Sequence, residues 1–555
     1  MKTILKQNIV MLLIVAMVAI NAGGLLSPVL NSNDAYFYAV ISKTMVTQHN
    51  WIDLYYGGMD WLDKPHLPFW LTAISFKLFG INAFAYVLPG FIFNLIGAYY
   101  TYRLGKYLFD DHQTGLISAL IYLSSLHLLL SSLDVRAEAF LLGEITPACY
   151  YWLVYDRKST IKSLLLAGLF TGLALMTKGL FVVITIFSGL VLTWIYQRQY
   201  RKIISFKWLL GYVLSLLFAL PEFICLYLQF DAHPEKLVFG QHNVSGLMWF
   251  FWGSQFGRFF NSGPIVNTHG NPFFFVHTFL WAFLPWSLIF IVSIYTSLRY
   301  FVAKSLSNKT SILYLHGAFW LTFIMFSATK FQLDHYTNII MPFAAILCAQ
   351  YLVSDCPKLN RIAHVQMGLV YLLLLLNIIL IGFVFKLTLM SFLIIVPLAL
   401  LIIVIYTRKI IPQLPKIFIW SPLAIGSVFT FLMLVNGVIY QRYDAGYNLA
   451  NRITSLDHTL PIYSLDIGNS INNLEFHSNR KINVIEKIDN KLLPANYYLI
   501  AESGILDSSH VNNVQLIGTF ADVPMTKFIP SLLNDKNYRN NVKYDNLYQI
   551  NLTNK

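Results

Sequence analysis

The stretch QNIVMLLIVAMVAINAGGLLS, residues 7–27, contains no charged side chain over 21 positions. A helix of that length rises about 30 Å, which is enough to cross the hydrocarbon core of a bilayer. Lys2 and Lys6 precede the stretch, and no small-residue cleavage site closes it, so we interpret it as a retained helix rather than a signal peptide. The segment predicts a membrane protein.

Comparable apolar stretches recur up to residue 440. The chain is 57% hydrophobic and only 12% charged, too little charge to cover the surface of a soluble protein of 555 residues. Because backbone amides in lipid must pair within their own segment, these stretches are predicted to be helices. Thirteen spans are predicted, at 7–27, 83–105, 114–132, 135–154, 162–177, 179–196, 207–229, 273–298, 312–328, 337–355, 364–385, 388–407 and 417–440.

Basic residues are distributed unequally between the two sides of these spans. One side carries 19 lysines and arginines, whereas the other carries nine up to residue 440. By the positive-inside rule, the N-terminus lies in the cytoplasm, and an odd number of spans places the C-terminus outside. The net charge of +13 is therefore interpreted as a topology signal, and we expect no nucleic-acid partner.

Two long segments and a polar tail interrupt the spans on the outer side. Residues 28–82 and 231–272 are predicted periplasmic loops, and the aromatic, Gly- and Pro-rich composition of 28–82 is typical of short interfacial helices. From Gln441 the composition becomes polar, with short apolar runs at 460–467, 481–486, 496–501 and 514–520 that predict strands. The sequence thus predicts a transmembrane domain over 1–440 and a periplasmic α/β domain over 441–555.

Charged residues gather where the spans meet the outer aqueous boundary. Ionisable groups at membrane depth are costly, so they usually mark function or a satisfied pair. Lysines and arginines could stabilise the anionic leaving group of a lipid-linked sugar phosphate, and carboxylates could orient an acceptor or stabilise a developing positive charge on the sugar. The residues in question are Asp34, Asp63, Lys64, Asp134, Arg136, Glu138, Lys178, Arg258 and Lys330.

Several short motifs occur in an order that resembles a known family. These are Asp-Ala-Tyr-Phe-Tyr-Ala-Val-Ile-Ser after the first span, Asp-Lys-Pro, Leu-Asp-Val, Met-Thr-Lys-Gly, Phe-Gly-Arg-Phe, Phe-Leu-Pro-Trp and Ser-Ala-Thr-Lys followed by His335, Tyr336 and Pro342. The set resembles the aminoarabinose transferases of lipid A, which are integral-membrane GT-C glycosyltransferases related to the dolichyl-phosphate-mannose protein mannosyltransferases. The resemblance implies a mainly α, polytopic fold of about 13 transmembrane helices with an outer α/β domain.

The resemblance also implies roles for individual residues. Asp34 and Asp134 match catalytic carboxylates, whereas Lys64 and Arg258 match the cations that hold the polyprenyl phosphate. The remaining matches are Lys178 and Lys330 as further cations, and Tyr38, Asp63, His335 and Tyr336 in the sugar or acceptor cavity. Departures from the family pattern, such as Ala35 after the first Asp and Asp63 in place of a Glu, bear on which sugar and acceptor are used.

Structural roles compete with each of these assignments. Asp34 could cap a helix, Lys64 and Arg258 could reach lipid headgroups, and Lys178 could interact with the carbonyls that end its helix. Asp134, Arg136 and Glu138 could form a structural ion-pair cluster. His66, His242, His269 and His335 lack compact metal-ligand spacing, and a divalent cation stays an open alternative, with no cofactor otherwise expected.

The combined pattern favours a glycosyltransferase that uses a sugar carried on undecaprenyl phosphate outside the bacterial inner membrane, and the resemblance implies an amino sugar as the group transferred and lipid A as the acceptor. A protein O-glycosyltransferase with the same donor chemistry is the alternative within this class. A lipid-carrier flippase or transporter is the alternative from another class, but such proteins usually show repeated spans with charges at the midplane, and no such repeat is evident here.

Overall fold

A computed structural model describes residues 7–267, 270–302, 308–354, 359–384, 417–438, 440–468, 470–489, 493–506, 513–523 and 542–551. Most of these residues form helices, and a small sheet lies near the C-terminus. Six helices are long and apolar enough to cross a bilayer, and two further pairs, bent by 48° and 115°, reach that length together. The predicted count of thirteen remains a prediction, and the span predicted at 388–407 lies outside the described residues.

Two helices and a small hairpin follow the first apolar helix. Ser32 begins the second helix, because its hydroxyl accepts a hydrogen bond from the backbone N–H of Ala35 at 3.1 Å. Short helices in the 28–82 loop are therefore confirmed. The elements are α1 (Gln7–Ala22), α2 (Asn33–Thr47), β1 (Tyr55–Tyr56), β2 (Met59–Asp60) and α3 (Leu67–Phe79).

The next helices form the centre of the membrane domain, where α4 packs against α7, and α7 against α8. Asp111 and Thr160 cap two of these helices by accepting hydrogen bonds from backbone amides. The span predicted at 114–132 is interrupted, because one helix ends at Leu123 and a short one follows. The elements are α4 (Ala83–Phe109), α5 (His112–Leu123), α6 (Leu126–Leu130), α7 (Ala137–Lys158), α8 (Ile161–Lys178) and α9 (Phe181–Tyr196).

The second outer loop lies between two bent helix pairs. The first bend falls before Pro221, and the second lies in the Phe-Leu-Pro-Trp motif at 283–286. Both segments were predicted as single spans, and proline explains the interruption because it lacks the N–H that a continuous helix needs. The elements are α10 (Phe206–Phe218), α11 (Leu220–Leu226), α12 (Gly246–Met248), α13 (Ser254–Phe260), α14 (Phe274–Ala282) and α15 (Ser287–Val302).

The last described membrane helices pack around the third outer connection. A 3₁₀ turn at Asp334–Ile340 leads directly into a helix that is almost wholly buried, so that His335 and Tyr336 face the protein interior. The elements are α16 (Lys309–Ala328), α17 (Met341–Val353), α18 (Leu359–Val384) and α19 (Ile417–Val438).

The C-terminal region forms a five-stranded mixed sheet with two helices. The strand order is β4-β3-β5-β7-β6, in which β3 pairs in parallel with β4 and β5, and β7 pairs antiparallel with β5 and β6. All four predicted strands are present, whereas β7 was not predicted. The elements are α20 (Ala445–Ile453), β3 (Ile462–Leu465), α21 (Ser470–His477), β4 (Ile482–Val484), β5 (Asn496–Glu502), β6 (Val514–Asp522) and β7 (Lys543–Asn551).

This C-terminal region is anchored on α2. The ammonium group of Lys43 donates to the carbonyl oxygens of Glu475 and Ser478 at 2.6 Å and of Phe476 at 3.2 Å, which satisfies the last carbonyls of α21. The hydroxyl of Tyr36 lies 3.0 Å from the Asp444 carboxylate. The helix that begins beside Asp34 therefore also carries the C-terminal domain.

Candidate functional site

Asp34 and Asp134, which are 100 positions apart in the sequence, meet at one arginine. Nη1 of Arg136 lies 3.0 Å from Oδ2 of Asp34, and Nη2 lies 2.8 Å from Oδ2 of Asp134. Asp134 also accepts a hydrogen bond from Ser32, the N-cap of α2, at 2.5 Å. The predicted catalytic carboxylates thus lie together, and Asp34 is the more exposed of the two, at 53% against 28%.

Asp63 joins the two cations that were predicted to bind phosphate. Its Oδ2 lies 2.6 Å from Nζ of Lys64, while its Oδ1 accepts a short hydrogen bond from Arg258. Burial would raise the pKa of the Asp63 carboxyl, but Lys64 and Arg258 hold that pKa below its usual value. Burial and the Arg258 charge lower the pKa of Lys64. Two cations and one carboxylate leave a net positive charge here.

The third outer connection fixes the position of Arg258. The backbone N–H of Phe331 donates to the carbonyl of Arg258 at 3.3 Å, and the N–H of Lys330 donates to the carbonyl of Phe259 at 2.9 Å. The side chain of Lys330 is exposed and makes no ion pair with any described residue. The structure therefore does not bring the Lys330 ammonium group into the cluster, and its backbone positions Arg258 instead.

Lys178 ends α8 and points towards the same region. It forms an ion pair with the buried Glu138 of α7, and its Nζ lies 4.0 Å from the centre of the Tyr336 ring. Gly179 follows with φ of 82°, and a Cβ at that position would overlap the side chain of Gln255. The glycine of the Met-Thr-Lys-Gly motif is thus required by the backbone turn and by the close approach of α13.

The His335 ring lies between Arg136, which holds Asp34 and Asp134, and Glu138, which pairs with Lys178. Its Nδ1 lies 3.1 Å from Oδ1 of Asp334 and 3.2 Å from Nη1 of Arg136, and its Nε2 lies 3.7 Å from Glu138. His335 therefore connects the Asp34–Arg136–Asp134 group with the Lys178–Glu138 pair.

Tyr38 is buried in α2, where the charges of both Asp34 and Asp63 act on its hydroxyl. Burial raises the pKa of its hydroxyl well above the usual value, and the nearby charges of Asp34 and Asp63 raise it further. Its ring packs against Phe69, with ring centres 5.1 Å apart. The structure thus brings together nine of the ten predicted site residues, with the Lys330 side chain as the exception.

A narrow cavity of about 40 Å³ lies beside the cations. Its walls are mostly apolar, and the charged groups that line it are Glu138, Lys178 and Arg258. Tyr336 and Phe331 form part of the wall.

The described residues do not form a metal site from these groups. No three of their His, Cys, Asp or Glu side chains lie close enough to hold a metal ion. Both ring nitrogens of His66 are occupied, one by Glu222 at 3.1 Å and the other by the carbonyl of Ile52 at 2.7 Å. His242 bonds to the carbonyl of Glu235, and His269 lies outside the described residues.

Sequence reasoning did not identify the roles of three charged residues. Arg136 and Glu138 were predicted as members of the charged group and, with Asp134, as an alternative structural ion-pair cluster, but neither was given an individual role. Arg136 joins both predicted catalytic carboxylates, and Glu138 pairs with Lys178. Glu222, which lies in a predicted span and pairs with His66, was not considered. The sequence did contain a signal for Glu222, because a carboxylate within an otherwise apolar span requires a partner.

Comparisons with known proteins bear on this arrangement. A profile of the dolichyl-phosphate-mannose-protein mannosyltransferase family matches residues 63–224. An undecaprenyl phosphate-alpha-4-amino-4-deoxy-L-arabinose arabinosyl transferase of Proteus mirabilis is 27% identical over 330 residues, which are 58% of this chain and 55% of the relative. An uncharacterized protein of Aquifex aeolicus is 23% identical over 90% of this chain and 92% of its own length.

The fold also matches a solved structure. ArnT from Cupriavidus metallidurans, crystallised with undecaprenyl phosphate, aligns with a TM-score of 0.69 over 90% of this chain and 94% of that one, at 16% identity. These comparisons confirm the resemblance to the aminoarabinose transferases and identify a multi-span membrane protein of that fold. The alignment with the Proteus mirabilis enzyme spans about half of that protein's length.

Proposed function

We propose that the chain is a glycosyltransferase that takes an amino sugar from undecaprenyl phosphate and transfers it to lipid A on the periplasmic side of the inner membrane. The observation that carries this proposal is a group of three cations beside a cavity with mostly apolar walls: Arg258 and Lys178 line the cavity, and Lys64 shares Asp63 with Arg258. The names of the arabinosyl transferase relatives and the undecaprenyl phosphate bound to ArnT support the choice of donor.

The reaction breaks the bond between the anomeric carbon and a phosphate oxygen of the donor. The electron pair leaves with the phosphate, and Lys64, Arg258 and Lys178 stabilise the negative charge that develops there. An acceptor oxygen then forms the new bond to the anomeric carbon. The two carboxylates that pair with these cations, Asp63 and Glu138, keep the buried ammonium and guanidinium groups in place before the donor arrives.

Asp34 is assigned to the acceptor and sugar side of the reaction. A lipid A phosphate is already anionic and scarcely needs a base, so Asp34 orients groups or stabilises positive charge on the sugar rather than removing a proton. Asp134 contributes through Arg136, which both carboxylates share.

The deciding experiment is mass spectrometry of lipid A from cells with and without the gene. We expect a lipid A species carrying an additional amino sugar to disappear in the deletion strain and to return with the wild-type gene. Complementation with Lys64→Gln should fail although the protein is present in the membrane. Unchanged lipid A together with loss of a protein glycoform would instead favour a protein O-glycosyltransferase, and accumulation of donor on the cytoplasmic face would favour a flippase.

A further inference from the structure

A second cavity lies in the C-terminal domain, beyond the site described above. It has a volume of about 200 Å³, and it opens between the sheet and Asn33, the residue that precedes Asp34. Its lining is more polar than that of the cavity beside Lys178 and Arg258. The polar side chains that line it are Asn33, Ser470, Asn473, Glu502, Asp522, Lys543 and Asp545.

The register of the sheet explains why charges gather there. Glu502 of β5 lies opposite Asp545 of β7, and Lys543 of β7 lies opposite Asp522 of β6. Because residues two apart on a strand share a face, these four side chains form one patch on three adjacent strands. Like charges directly opposite each other destabilise a sheet, so Glu502 and Asp545 require a compensating charge.

The lysine in the patch does not balance all three carboxylates. Nζ of Lys543 lies 2.9 Å from each carboxylate oxygen of Glu502. Among the described residues, the Lys543 ammonium group therefore forms its ion pair with Glu502. Asp522 and Asp545 form no ion pair with any residue in the described ranges. The cavity therefore has an excess of negative charge at its Asp522–Asp545 side.

Three buried side-chain atoms in the lining also lack a hydrogen-bond partner among the described residues: Oδ2 of Asp545, Oδ1 of Asn473 and Oγ of Ser470. Asp545 is 2% exposed and Asn473 is 6% exposed, yet Oδ2 of Asp545 and Oδ1 of Asn473 accept no hydrogen bond from the part of the chain that the structure describes. Buried acceptors of this kind are destabilising unless a ligand or water donates to them. Burial raises the pKa of Asp545 to about 7 and that of Asp522 to about 6, and the charge of Lys543, which lowers both pKa values, does not offset this effect.

We propose that this cavity binds a ligand through a primary ammonium group, which donates to Asp522, Asp545 and Oδ1 of Asn473. An ammonium group has three N–H donors and no acceptor, which matches a lining with unpaired acceptors and excess negative charge. A bare metal ion fits less well, because no three carboxylates or histidines among the described residues converge on one point. An amino sugar and an ethanolamine headgroup are two sources of such a group.

Calorimetric titration of the full-length protein in detergent, without donor lipid, tests this inference independently of the proposed transferase activity. The probes are glucosamine, ethanolamine, glucose as the neutral counterpart of glucosamine, and magnesium chloride. We expect at least one amine to bind and glucose to give no heat. Tighter binding of glucosamine identifies a sugar ligand, and tighter binding of ethanolamine identifies a headgroup.

Two variants locate the site. Asp545→Asn and Asp522→Asn should each weaken amine binding at least tenfold, whereas the matched control Glu486→Gln, on the exposed surface of the same domain, should leave it unchanged. Asp545→Asn removes an unpaired buried carboxylate, and its thermal unfolding should show that it folds. The proposal is overturned if neither amine binds, if glucose binds equally well, if only magnesium binds, or if both variants bind the amine as tightly as the wild type does.

Discussion

Nη1 of Arg136 lies 3.0 Å from the carboxylate of Asp34, so the more exposed predicted catalytic group is held by a largely buried cation. Arg136 precedes α7 and simultaneously binds Asp134, which fixes the guanidinium plane. We therefore propose that Arg136 is a positioning residue for Asp34.

Arg136→Lys keeps the positive charge but cannot bind two carboxylates in the same plane. We expect kcat to fall roughly 10²-fold because Asp34 is no longer held in place, with little change in the KM of the donor. Steady-state kinetics on the purified variant measures this, with Arg157→Lys on an exposed helix end as the control. A rise in the KM of the donor at unchanged kcat would contradict a positioning role.

Lys64→Gln and Arg258→Gln remove the two cations that share Asp63. Each should lower kcat about 10²–10³-fold, since each removes charge stabilisation from the departing phosphate. The double variant should lose less than the product of the two single losses, because both cations act on one phosphate. The same kinetic assay on the three variants measures the coupling between the two cations. If the loss in the double variant equalled the product of the two single losses, the residues would act separately.

Glu138→Gln leaves the Lys178 ammonium group without its ion-pair partner. Breaking a buried pair by removing one member costs roughly 3–5 kcal/mol, so we expect a clearly lower melting temperature. Thermal unfolding in detergent measures the effect, with Glu235→Gln, an exposed loop position, as the matched control. An unchanged melting temperature would mean that water or another residue replaces Glu138.

Tyr36→Phe removes the hydroxyl that bonds to Asp444 at 3.0 Å. A buried carboxylate that loses its donor costs about 1–3 kcal/mol, and we expect the C-terminal domain to be the part that loosens. Hydrogen exchange over α20 and α21 should speed up while exchange in α4 and α7 stays unchanged. Tyr55→Phe, which removes a half-exposed hydroxyl bonded to Asp53, is the control and should change neither region.

The acidic patch of the sheet predicts how stability changes with pH. Burial raises the pKa of Asp522 to about 6 and of Asp545 to about 7, above the unfolded value of 3.8, so the folded state holds protons that the unfolded chain has lost. Their contribution is fully present near pH 4 and is lost as the pH rises through 6 and 7. The other charged groups that act on the pair are Asp444, Glu502 and Lys543.

Melting curves of the apo protein from pH 5 to pH 8 check this. The wild type should lose stability over that interval, and Asp545→Asn should lose less because one of the two titrating groups is gone. An equal slope in both proteins would show that Asp545 does not titrate in this range.

The sequence predicted which charged residues lie close together but not how they pair. Asp34, Lys64 and Arg258 could be assigned because they occur in ordered motifs at matching ends of spans. The sharing of Asp63 by Lys64 and Arg258, and of Arg136 by Asp34 and Asp134, depends on how distant loops pack, which local patterns do not encode. Lys330 carries the right charge, yet its side chain is exposed and pairs with no described carboxylate, while its backbone supports the segment that holds Arg258.

Secondary structure shows the same limit. The apolar runs that form β3 to β6 were recognisable, whereas β7 is rich in Asn and Asp, and its buried Leu547 and Ile550 do not form a simple alternation. The bends before Pro221 and at Pro285 divide segments whose hydropathy alone indicates one continuous helix.

The attachment of α21 to Lys43 has a consequence for how this protein can be divided. The Lys43 side chain of α2 donates hydrogen bonds to three carbonyls of the C-terminal domain. Removing residues 441–555 would therefore expose Tyr36 and leave the Lys43 ammonium group without these acceptors. The membrane part is therefore not an autonomous module. Chimaeras that exchange the C-terminal domain with that of a relative need to exchange α2 as well.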